Sequence, residues 1–136
     1  MKLINRNTNY AIRSLVYIAK VGKVVTVAEL VESLKIPKAL LRKIMQTLSK
    51  RNILISVRGR GGGFLLNRKP SEISVLNIAE IFQDDIEAVN CVFNGNPCLD
   101  IKRCLLKNRG RKIEKDITYW LSSISISSLT CFGGKK

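Results

Sequence analysis

Three cysteines, Cys91, Cys98 and Cys104, stand with six and then five residues between them. They lie in and just after a polar stretch from Asp84 to Pro97 that carries Gly95 and Pro97. Free cysteines are often small buried apolar residues, but a loop of this composition offers little core for three of them. Structural zinc usually takes cysteines about two to four residues apart, and the spacings here are wider. The chain has no histidine, so no imidazole can complete a site. Soft thiolates also hold iron–sulfur clusters, and the wide spacing suits a loop wrapped round something larger than one ion. Spacing alone leaves a cluster, zinc and a redox-switched thiol pair all open. Cys131 stands apart, near the end of the sequence.

What positions these groups must come from the rest of the chain. With 136 residues, 46% of them hydrophobic, one real core and an accessory element are expected. No apolar run approaches the ~18–20 residues that span a bilayer, and Met1 to Asn9 lacks the apolar centre of a signal peptide. The expectation is a cytoplasmic protein with no membrane association, its thiols reduced unless they do chemistry. No Cys-x-x-Cys or histidine is present, and no paired-carboxylate site in a plausible pocket is evident, so an enzyme is not expected.

Charge supplies the next clue. Twenty-four Lys and Arg against ten Asp and Glu give +14, a field that draws polyanions, of which nucleic acid is the commonest in a cytosol. Between Glu32 and Glu72 there is no acidic residue. That stretch carries Lys35, Lys38, Arg42, Lys43, Lys50, Arg51, Arg58, Arg60, Arg68 and Lys69.

The same stretch has a legible architecture. Ile12, Leu15, Val16 and Ala19 give the period of an amphipathic helix over Asn9 to Val21, closed by Gly22. Thr26 and Glu29 form a capping box that opens a short helix burying Ala28, Leu30, Val31 and Leu34. After a break at Lys35-Ile36, Pro37 suits the first position of a second helix. That helix runs to about Asn52 with Leu40, Leu41, Ile44, Met45 and Leu48 inward. Two helices so joined are a helix-turn-helix, whose second helix enters the major groove. Lys38, Ala39, Arg42 and Lys43, near its N-terminal end, are the expected groove contacts.

Ile53 to Val57 and Gly63 to Leu66 read as paired strands, with Arg58-Gly-Arg-Gly-Gly62 as their turn. A hairpin placed there is a wing, and Arg58 and Arg60 at its tip can reach phosphates or a narrow minor groove. A nucleotide-binding loop is excluded, because no Gly-Lys-Ser/Thr follows and the loop joins strand to strand. Ser74 caps a further helix through Val75, Ile78, Ala79, Ile81 and Phe82. A long helical pattern after Cys104 carries Leu105, Leu106, Ile113, Ile117, Trp120, Leu121 and Ile124, with Gly110 as a soft spot. Too little chain remains to bury that helix, so a second copy is expected to cover it.

The predicted fold is therefore mainly α with a small β-hairpin. Residues 1–83 form a winged helix-turn-helix, 84–104 a cysteine-bearing loop, and 105–136 a long dimerisation helix and tail.

Asn9-Tyr-Ala-Ile-Arg13, Val27 to Ile36, Ser56-Val-Arg-Gly-Arg-Gly-Gly-Gly-Phe-Leu-Leu66, Ile73 to Ile78 and the three cysteines follow in an order that resembles the IscR/NsrR/CymR-type winged-helix regulators. The segment from Ser56 to Leu66 is the most specific part of the match. The resemblance implies a homodimer that binds double-stranded DNA at partly palindromic promoter sites. It also implies a [2Fe–2S] or [4Fe–4S] cluster held by Cys91, Cys98 and Cys104, whose loss, oxidation or nitrosylation changes transcription. Some relatives lack the cysteines and sense other signals.

The chain departs from this pattern at the fourth ligand. The IscR-like branch places a histidine where this chain has Lys107, whose ammonium has no lone pair to give. The NsrR-like branch takes a carboxylate from the first helix of the other subunit, and the matching residue is Asn9. Asn9, an oxygen such as that of Thr8, water, or Cys131 are the candidates.

Overall fold

The structure is a computed structural model that describes residues 3–83 and 105–132. Its elements are α1 (Arg6–Val21), α2 (Val27–Leu34), α3 (Lys38–Lys50), strands β1 (Leu54–Val57) and β2 (Gly63–Leu66), a 3-10 turn (Pro70–Glu72), α4 (Val75–Phe82), α5 (Leu105–Ser123) and α6 (Ile126–Phe132). The expected winged-helix architecture is present, mainly α with one two-stranded antiparallel sheet.

The first helix starts a turn earlier than its apolar period indicates. Asn5 caps it, its Oδ1 accepting from the Thr8 amide at 2.8 Å, which satisfies one of the unpaired N–H groups of a helix start. Ala11, Leu15 and Ile18 face inward. They form one apolar cluster with Leu30 of α2, Leu41, Ile44, Met45 and Leu48 of α3, Leu54, Ile78 and Ile126.

Local chemistry shifts three predicted details. Thr26 caps α2, its Oγ1 accepting from the Glu29 amide at 3.1 Å. The reciprocal half of that box does not form, because the Glu29 carboxylate accepts from the Tyr17 hydroxyl at 3.0 Å. Ala28, expected in the core, is exposed, and only Leu30 of α2 is fully buried. Pro37 is the N-cap of α3 rather than its first residue, with ψ 133. Its lost N–H is harmless in either place.

The wing pairs Leu54 with Leu66, Ile55 with Leu65, Ser56 with Phe64 and Val57 with Gly63. Val25, in the link between α1 and α2, extends it as a third rail. Its N–H donates to the Phe64 carbonyl at 3.0 Å, and the Phe64 N–H donates back at 2.8 Å. So close a crossing has no room for a side chain next door. A Cβ on Gly63 would run into the Val25 carbonyl.

Ser74 and Asn77 form a complete capping box at the start of α4, with bonds of 3.0 and 3.1 Å. The C-terminal part holds an element with no counterpart in the predicted tail. After α5, the chain turns at Ile124–Ser125 into α6, which packs on α1 and on the 3-10 turn. Two backbone bonds splice this turn to the start of α4: Val75 N–H to the Ile124 carbonyl and Ile126 N–H to the Ile73 carbonyl, both 2.8 Å. Ile126 is fully buried. The helix α5 lies against α4 and buries Leu121, yet Leu105, Leu106, Ile113, Tyr119 and Trp120 are all at least 50% exposed.

Candidate nucleic-acid interface

The helix-turn-helix is set by two side chains of α1. The Tyr17 hydroxyl holds Glu29 and also accepts from the Ser33 hydroxyl at 3.2 Å. Arg13 donates through Nη2 to the carbonyl of Leu34 at 3.0 Å, meeting one of the carbonyls left unpaired where α2 ends. Lys35 then turns the chain with φ 57. Both side chains thus seat α2 against α1, up to the point where the turn to α3 begins. Sequence reasoning missed both residues as positioning groups; their only signal was a polar side chain on the face of α1 next to its apolar stripe.

With α3 so placed, its inner face packs Leu41, Ile44, Met45 and Leu48. Lys38, Ala39, Arg42 and Lys43 are all exposed, as are Gln46 and Lys50 further along. Arg58 and Arg60 are exposed at the tip of the wing. There Gly61 takes φ 72, a conformation most residues resist, and the Gly62 N–H closes the turn on the Gly59 carbonyl at 3.0 Å. The base of the hairpin is tied by Asn67, whose backbone N–H donates to the Ile53 carbonyl and whose side chain donates to the Asn52 carbonyl at 2.9 Å. No carboxylate occurs between Glu32 and Glu72, so the positive field of these side chains is not cancelled locally.

Of the predicted cluster ligands, Cys91, Cys98 and Cys104 lie outside the described residues. Asn9 sits on α1 and is exposed. Thr8 is fully buried, and its hydroxyl donates to Oε1 of Gln83 at 2.8 Å. That contact belongs to a larger clamp. Gln83 Oε1 also accepts from the Asn5 N–H at 3.0 Å, Gln83 Nε2 donates to the Leu3 carbonyl at 2.8 Å, and Asn5 Nδ2 donates to the Phe82 carbonyl at 2.9 Å. Leu3, Asn5 and Thr8 are thereby fastened to Gln83, the residue just before the 84–104 segment.

Comparison with known proteins agrees with this arrangement. The Rrf2 family, described as "Iron-dependent Transcriptional regulator", matches residues 4–131. The chain belongs to the Rrf2 family. It is a DNA-binding transcriptional regulator, not an enzyme. It is 32% identical over 111 residues to the HTH-type transcriptional regulator NsrR of Bacillus subtilis, covering 79% of this chain and 75% of that one. It is 33% identical over 105 residues to the HTH-type transcriptional regulator IscR of Photorhabdus laumondii, covering 77% of this chain and 63% of that one. Among solved structures it is similar to CymR, the global cysteine regulator of B. subtilis, with a TM-score of 0.78 at 19% identity, covering 97% and 98% of the two chains. Among the described residues no helix is long and apolar enough to cross a membrane.

Proposed function

We propose that this Rrf2 chain acts in the cytoplasm as a homodimer. It reads partly palindromic promoter sites and senses redox state, nitric oxide or iron–sulfur supply through a cluster held by Cys91, Cys98 and Cys104. The observation that carries the DNA half is the exposure of Lys38, Ala39, Arg42 and Lys43 on α3 and of Arg58 and Arg60 on the wing, all within a segment without carboxylates. In this reading α3 enters the major groove, and the wing arginines contact phosphates or the minor groove. The dimer reading is supported by α5, whose Leu106, Ile113 and Trp120, seven residues apart, are exposed. Such a strip is expected to be covered by its own copy.

The donor set fits a [2Fe–2S] or [4Fe–4S] cluster. Three thiolates are soft ligands of the type that hold iron, and Asn9 offers an exposed amide oxygen that makes no hydrogen bond among the described residues. When bound, the cluster supplies a redox-active centre that oxygen or nitric oxide can attack. The chain's own contribution is ligation, and Asn9 as a weak neutral fourth ligand leaves that position exchangeable. Gln83 and Thr8 hold the neighbouring backbone in place.

Anaerobically purified protein is expected to be brown, with visible absorption that Cys98→Ala abolishes. Colourless protein carrying zinc, or reversible disulfide formation without iron, would replace the cluster by a metal or thiol switch and leave the DNA reading intact.

A further inference from the structure

The groove-facing surface of α3 extends one turn beyond the residues assigned above. Gln46 is exposed, lies three and four residues past Lys43 and Arg42 on the same face, and makes no hydrogen bond among the described residues. Its neighbour Thr47 is different: the Thr47 hydroxyl donates back to the Lys43 carbonyl at 2.9 Å, so it is turned onto the helix's own backbone. Of the exposed polar side chains on this face, Lys38, Arg42, Lys43 and Lys50 are cations. Gln46 alone among them is neutral. A neutral amide adds little to the attraction of a cationic face for phosphates, whereas its paired donor and acceptor match the N7 and N6 edge of adenine.

We infer that Gln46 is a specificity-determining residue that reads an adenine in each half-site through a bidentate amide contact in the major groove. This inference rests on the proposed placement of α3 in the groove. The spacing makes it more definite. Gln46 lies seven residues beyond Ala39, or about 10.5 Å at ~1.5 Å per residue, close to three base-pair steps of ~3.4 Å. Ala39 is suited to a thymine methyl and Arg42 to a guanine edge. The helix thus offers a methyl, a cation and an amide in order along about three base-pair steps.

The test is selection of duplexes from a randomised pool by the full chain, followed by affinity measurements on the selected site and its single-base variants. The wild type is expected to enrich adenine at one position per half-site. Gln46→Ala should erase that preference, a loss of roughly 5- to 150-fold in discrimination at that base pair, with other positions unchanged. Gln46→Glu should move the preference toward cytosine, whose N4 amino group donates to a carboxylate. Equal weakening on every sequence would make Gln46 a phosphate contact and overturn the inference, as would unchanged selection. Arg42→Ala and Lys43→Ala in the same assay separate the two levels. If they weaken binding while Gln46→Ala leaves selection intact, only the Gln46 assignment fails; if they too have no effect, α3 is not in the groove and both fail.

Discussion

Gly63→Ala tests how the wing is held. Gly63 sits at ordinary φ, so the cost of a side chain there is steric: the new Cβ meets the Val25 carbonyl and crowds the Thr26 Cα at 3.1 Å. Both are backbone atoms and cannot swing aside. The strand must therefore move, breaking the reciprocal bonds between Val25 and Phe64 at 3.0 and 2.8 Å, or absorb the overlap as strain. Two backbone bonds at about 1 kcal/mol each, or overpacking at up to about 3 kcal/mol, put the loss near 2–3 kcal/mol. Gly61→Ala is the control. It has open space around it but φ 72, so it should cost only the left-handed penalty of about 1–2 kcal/mol. Urea unfolding of the two variants, followed by DNA titration, measures both effects. Gly63→Ala should be the less stable and should bind DNA more weakly, because its wing is displaced from α3. If it is no more destabilised than Gly61→Ala, the close crossing at Val25 does not hold the wing.

Arg58→Ala and Arg60→Ala should each weaken DNA binding and lower the slope of log K against log salt by about one where a phosphate contact is lost; unchanged slopes in both would contradict the wing assignment. Ile113→Asp and Trp120→Asp alter exposed sites on α5, so the fold should survive while sedimentation shows monomer. A dimer that persisted in both would move the interface elsewhere. Ser49 has a buried hydroxyl with no hydrogen-bond partner among the described residues, so Ser49→Ala should raise stability by up to about 1 kcal/mol. A loss of that size would show that the hydroxyl has a partner in solution.

Most of the DNA-reading unit was legible because its signals are local. Thr26, Ser74 and the glycine-rich turn each set the conformation of their own few residues, and the apolar period of α3 matches its buried set closely. What escaped was decided across the chain. The second half of the Thr26–Glu29 box was lost to Tyr17, twelve residues away from Glu29, and no local pattern announces such a competitor. The helix α6 escaped for a related reason. Its segment is rich in serine, a modest helix former, and at seven residues it is too short to show a clear helical period. What stabilises it is the burial of Ile126 and the Ser125 cap, whose Oγ accepts from the Ser128 N–H at 3.2 Å. The cysteines were legible as sulfur chemistry, but which oxygen could join them was not. Thr8 and Asn9 are adjacent in sequence, and only the fold shows one buried against Gln83 and the other facing outward.

The clamp around Gln83 binds residues nearly eighty positions apart through one amide group. The opening turn of α1 and the closing turn of α4 are therefore one cooperative unit, and neither can fray without releasing the other. Hydrogen exchange at the Asn5 backbone amide, whose acceptor is the Gln83 side chain, becomes an intrinsic gauge of strain arriving from the chain beyond α4. It can be followed in untagged, unlabelled protein without touching a single cysteine.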